Sequence, residues 1–120
     1  MTELLTLETE LKNEIMTTIR LTTGGVSSLA GLSYDDGEDC KVCVTESLLL
    51  LSHGGFARAK LAFYKDDGLQ VKIVGSDRTD KQCGEGDEIS VALLSALAEG
   101  VSLEKSGGSV FEISFRFTAK

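Results

Sequence analysis

The sequence predicts an α+β two-layer sandwich in which a mixed, mostly antiparallel sheet of about five strands carries three helices on one face. Phe111, Ile113, Phe115 and Phe117 alternate with Glu112, Ser114, Arg116 and Thr118, the clearest strand pattern in the chain. Two apolar patterns of helical length fill the stretch from Leu11 to His53, and a third spans Ile89–Ala98. The resulting order, β-α-α-β-β-α-β-β, has more strands than helices and ends in a hairpin, which favours helices gathered on one side of a sheet.

Taken in order, residues 3–9 alternate in part and predict a first strand. Ile15, Ile19, Val26, Leu29 and Ala30 form one stripe on a first helix ending near Gly31, weakened by threonines and Gly24-Gly25. Asp35 or Asp36 is the expected N-cap of the second helix, with Glu38 and Asp39 in its first turn and Gly54-Gly55 stopping it after His53. Apolar on nearly every side, this helix should lie centrally. Ala57–Lys65 and Leu69–Val74 flank Asp66-Asp67-Gly68, whose Asp-Gly step is expected to supply the positive φ angles of a tight antiparallel hairpin. A polar, glycine-containing segment from Gly75 to Glu88 has the length of a binding loop or lid. Ile89, Leu93, Leu94 and Leu97 mark the third helix. Val101 and Leu103 begin a strand that Ser106-Gly107-Gly108 turns back into the final one. No internal repeat or linker interrupts residues 1–120, so one domain is expected.

Composition narrows the function. At 120 residues and 42% hydrophobic side chains, the chain can bury a core without metal or disulfide help. Twelve basic and nineteen acidic residues leave a net charge of −7, and no Lys/Arg cluster is present to follow a phosphate backbone or an anionic membrane. The longest apolar run is Leu48–Leu51, far short of the roughly 20 residues a bilayer span needs. No basic region followed by an apolar one opens the chain, so a cytoplasmic location is expected. An odd number of cysteines, Cys40, Cys43 and Cys83, fits reduced thiols.

Several residues invite a chemical reading. Glu46 interrupts the most hydrophobic stretch, Val42–Leu51, where burying an unpaired charge costs several kcal/mol. It reads as a general base, as a partly exposed acid on the helix edge, or as one paired with Lys41 or Arg58. Cys40-Lys-Val-Cys43 reads as a redox pair, as a zinc site with Cys83 and His53, or as core packing. His53 reads as a proton shuttle or as a partner of the negative end of its helix. Asp77, Asp80, Glu85 and Asp87 make Gly75–Glu88 a lid, a calcium loop or a plain connection, although the spacing and final Glu of an EF-hand are missing. Arg20 is the one basic residue between Asn13 and Asp39, set among threonines on the expected solvent side of the first helix.

Ile19-Arg20-Leu21-Thr22 with Val26, Leu29, Ala30 and Gly31, then Tyr34-Asp35-Asp36, Val44-Thr45-Glu46-Ser47, Leu69–Val74 and Ala92–Val101 occur in an order that resembles the bacterial anti-sigma factor/serine-protein kinase family. That family has the histidine kinase-like ATPase fold shared by gyrase, heat-shock chaperones and mismatch-repair proteins. The resemblance implies a nucleotide pocket built on the second helix, where Glu46 would be the base and an Asn four residues on would hold Mg²⁺. Here that position is Leu50. The adenine-reading Asp, followed two residues later by Gly, is matched by Gly75 and Asp77 in reverse order, so Asp77 serves only after a two-residue slip. The Gly-Leu-Gly-Leu turn before the third helix is matched by Glu88-Ile89-Ser90-Val91, with Gly84 and Gly86 slightly upstream. Loss of metal ligation, with Glu88 near phosphate oxygens, implies weak or no ATP binding and no resident cofactor. The resemblance therefore implies a regulatory protein-binding domain whose partner is a sigma factor or an antagonist (anti-anti-sigma-like) domain, with Arg20 on the partner-binding face and a homodimer possible. The competing expectation is an active ATP- and Mg²⁺-dependent serine-protein kinase using Glu46, Asp77, Gly84 and Gly86. A third is a pocket made more apolar by Leu50 and taking another small ligand.

Overall fold

The computed structural model describes residues 1–79 and 87–119. Strand β1 (Thr2–Glu10) leads through a 3-10 turn (Asn13–Ile15) into helix α1 (Met16–Leu29), followed by α2 (Tyr34–His53). Strands β2 (Phe56–Lys65) and β3 (Gly68–Arg78) come next, then α3 (Asp87–Leu97), β4 (Glu99–Ser106) and β5 (Ser109–Thr118). The five strands form one sheet in the order β1-β2-β3-β5-β4.

Every ladder in that sheet is antiparallel, which corrects the expected mixed sheet. The α3 crossover does bring β4 back in the direction of β3. However, β5 turns back from β4 and inserts between the two, so strands running the same way never pair.

Register explains the core. One row across the sheet reads Leu7, Leu61, Ile73, Ile113 and Leu103, and the next places Leu5, Phe63, Val71 and Phe115 side by side. Leu61, Phe63, Val71, Ile73, Ile113 and Phe115 are fully buried, so these odd-numbered positions form the face under the helices. The Phe115 and Phe117 rings meet edge to face, 6.0 Å between centroids. Above them, α2 packs on β2, β3 and β5, with α1 and α3 against it. Cys40, Cys43, Val44, Leu48, Leu50 and Leu51 are buried, as the all-round apolar pattern of α2 requires.

Local signals act differently from the expectation at two places. Ser33, not Asp35 or Asp36, caps α2: its extended backbone lets the hydroxyl accept from the Asp36 N–H at 3.1 Å. Asp35 and Asp36 instead lie in the first turn, where the helix dipole favours negative charge. Gly68 does not take a left-handed conformation in the β2–β3 hairpin. A Cβ there would lie 2.0 Å from the Phe117 carbonyl oxygen, so close approach of β5 demands the glycine. Gly31 follows the expectation, ending α1 at φ 81°.

Both sheet edges are blunted. β1 shifts register between Glu3 and Leu5 and bears Glu3, Glu8 and Glu10, while β4 is irregular around Gly100. Among the described residues, no helix is long and apolar enough to cross a membrane.

Two glycines test this account. Gly68→Ala should destabilise the domain by about 1–3 kcal/mol or more through overpacking. Gly25→Ala, in mid-α1 where an added Cβ meets nothing, should stabilise it by about 1 kcal/mol. Urea denaturation of both variants measures the difference, and equal effects would refute the assigned β3–β5 contact.

Candidate functional site

Glu46 sits on the side of α2 that faces α3, half-buried, and its Oε1 accepts from the buried Ser90 hydroxyl at 3.1 Å. A hydrogen bond from a neutral donor and partial solvation resolve the cost of placing a carboxylate in an apolar run. One turn on, Leu50 is 1% exposed and belongs to the core, so no polar group accompanies Glu46 at i+4.

The other side of α2 faces α1, and there the Arg20 Nε donates to Thr45 Oγ1 at 3.2 Å, while Thr45 Oγ1 donates to the Lys41 carbonyl. Arg20, Lys41, Thr45 and Glu46 line one open cleft of about 320 Å³ together with Glu38 and Val42. Arg20 and Glu46, two separate candidates in the sequence, thus share one cleft. The signal for this was available: Arg20 and Thr45 lie at matching heights on an antiparallel helix pair joined by a short loop. Lys41 lies across Gly24, where a Cβ would come within 2.8 Å of its Cε, and its Nζ reaches Glu38 Oε2 at 3.0 Å. Glu38 is held below the usual carboxylate range by hydrogen bonds from Lys41 and then Tyr34.

Asp77 does not join them. It lines a different cleft with Glu10, Lys12 and Arg58, which shares no residue with that of Glu46. Its backbone is left-handed, φ 55°, a conformation that Asp tolerates better than most side chains. At Gly75, the ungapped match to the adenine-reading Asp, a Cβ would lie 2.6 Å from the Phe56 ring. That ring fills the space a carboxylate would need. Gly84, Gly86 and Cys83 lie outside the described residues.

At the first turn of α3, Glu88 is exposed and Asp87 Oδ1 lies 3.0 Å from His53 Nδ1 in the last turn of α2. The chain's own carboxylates therefore occupy the positive end of α3, and His53 bridges two helix ends.

Cys40 and Cys43 are free, buried thiols. Burial pushes both up to about 12, and Cys40, Asp39 and Glu46 push Cys43 further up. Both side chains belong to the core cluster at 0% exposure, so Cys40-Lys-Val-Cys43 packs in the core. Among the described residues, no group of three His, Cys, Asp or Glu side chains is placed to hold a metal.

Against known proteins, no family model matches the chain, and no curated protein matches it either.

The thiols generate a pH prediction. Their folded values lie above the ordinary 9.0, so their contribution to stability is complete below pH 9 and is lost as pH rises toward 12. The slope should reach about 1.4 kcal/mol per pH unit for each thiol. A Cys83→Ser chain should show no thiol reactive toward a disulfide reagent at pH 8 until urea unfolds it, and prompt reaction of the native protein would refute the core assignment.

Proposed function

We propose that this chain is a regulatory protein-binding domain with the histidine kinase-like ATPase fold, similar to anti-sigma factors/serine-protein kinases and degenerate in its ATP site. It acts in the cytoplasm by contact with a sigma factor or an antagonist domain, as a monomer or a homodimer, and it carries no nucleotide. The observation that carries this reading is the buried leucine one turn after Glu46. A side chain that can hold Mg²⁺ beside a triphosphate needs a polar atom at that place, and Leu50 offers none. The Phe56 ring over Gly75 supports the same conclusion at the adenine end. Recognition has a different basis: Arg20 lies in an open cleft, bonded to a neutral hydroxyl, and its remaining guanidinium N–H groups suit a carboxylate or carbonyl of a partner.

Calorimetric titration with Mg-ATP should show no binding up to about 1 mM, and a micromolar dissociation constant would overturn the proposal. Against a co-encoded sigma factor or antagonist domain, Arg20→Ala should weaken binding by about ten- to a hundredfold with the thermal midpoint unchanged. Phosphate transfer from labelled ATP to that partner, abolished by Glu46→Gln, would establish the kinase reading instead.

A further inference from the structure

We infer that the outer surface of the helical layer docks a cationic protein segment carrying apolar side chains. This rests on the protein-binding reading above and names the chemistry of the partner. It starts from a charge asymmetry between the two layers. Residues 13–55 and 87–98, which form the helices and their connections, contain eight Asp and Glu but two Lys and Arg, a net charge of −6. The described strand residues, 1–12, 56–79 and 99–119, contain nine acids and eight bases, a net charge of −1. Nearly all of the protein's charge excess therefore lies on one layer.

Both cations of that layer are engaged, Lys41 by Glu38 and Arg20 by Thr45. Helix dipoles explain why Asp35, Asp36, Asp87 and Glu88 are tolerated in first turns. The dipoles offset only about half a charge per helix end, so an approaching molecule still meets a strongly negative face. At physiological salt such a field extends about 8 Å into solvent, enough to orient a cationic partner and repel nucleic acid or an anionic membrane.

Charge alone would attract any cation. The same layer exposes large aliphatic side chains on every helix: Leu21 and Leu29 on α1 are 71% and 67% exposed, Val42 on α2 40%, and Ile89 on α3 66%. Val42 also lines the cleft of Arg20 and Glu46. A basic segment with interspersed apolar residues, such as an amphipathic helix, satisfies the field and covers these side chains together. Arg20 then selects a single acceptor within that otherwise basic segment.

The test is an NMR titration with a synthetic Lys/Leu amphipathic helix and its Glu/Leu counterpart. Amides around the exposed positions of α1, α2 and α3 should shift with the cationic peptide and not with the anionic one. Asp39→Lys combined with Val42→Ser should weaken binding by about tenfold or more, while Glu112→Lys on the opposite sheet face should leave it within about twofold. If the double variant fails to fold, Val42→Ser alone should still weaken binding measurably. No shifts at about 1 mM peptide, shifts spread over the strands, or indifference to these variants would overturn the inference. None of these readouts involves nucleotide. Their failure leaves the degenerate-site reading standing, whereas Mg-ATP binding beside intact peptide binding would remove that reading alone.

Discussion

The seating of α2 on the sheet is the constraint from which the rest of the molecule follows. Its inward side chains, Cys40, Val44, Leu48 and Leu51, rest on the apolar rows of β2, β3 and β5. Because helical positions repeat every 3.6 residues, fixing those four fixes the direction of every other side chain on α2. Glu46 is then turned toward α3 and Thr45 toward α1. The Ser90 and Arg20 contacts are consequences of that rotation, and the sharing of one cleft by Arg20 and Glu46 follows from it too.

The same rotation disposes of Leu50. At 1% exposure it contributes to the core, where a leucine stabilises the fold by roughly 1.5–3 kcal/mol relative to an exposed one. An asparagine there would have to bury an amide without any assured partner. Position 50 is thus taken up by packing. Phe56 occupies the space above Gly75 in a similar way, with the Arg78 guanidinium 5.6 Å from its ring centroid. Apolar contacts thus surround both positions, Leu50 within the core and Phe56 against Gly75.

Electrostatics divides the molecule differently from hydrophobicity. The sheet layer alternates signs, as in the Lys72–Glu112 pair on neighbouring strands, and its field largely cancels. The helical layer concentrates carboxylates near helix N-termini, where the dipoles favour them, and its field does not cancel. The residues that favour local helix formation are therefore the ones that give this layer its negative field.

From the sequence alone came the helix and strand types, the central place of α2 and the one-sided helical layer, because periodicity and turn residues act over short stretches of chain. Glu46 and Arg20 were also visible there, one by charge in an apolar run and one by isolation. Tertiary structure decided what lay between distant segments: the insertion of β5 that makes the sheet fully antiparallel, the approach of β5 that demands Gly68, and the Phe56 ring over Gly75. It also separated Asp77 from Glu46 and brought Arg20 to the same cleft. Such outcomes depend on which strands become neighbours and how helices rotate against them, and a one-dimensional pattern specifies the face of each element without specifying what that face will meet.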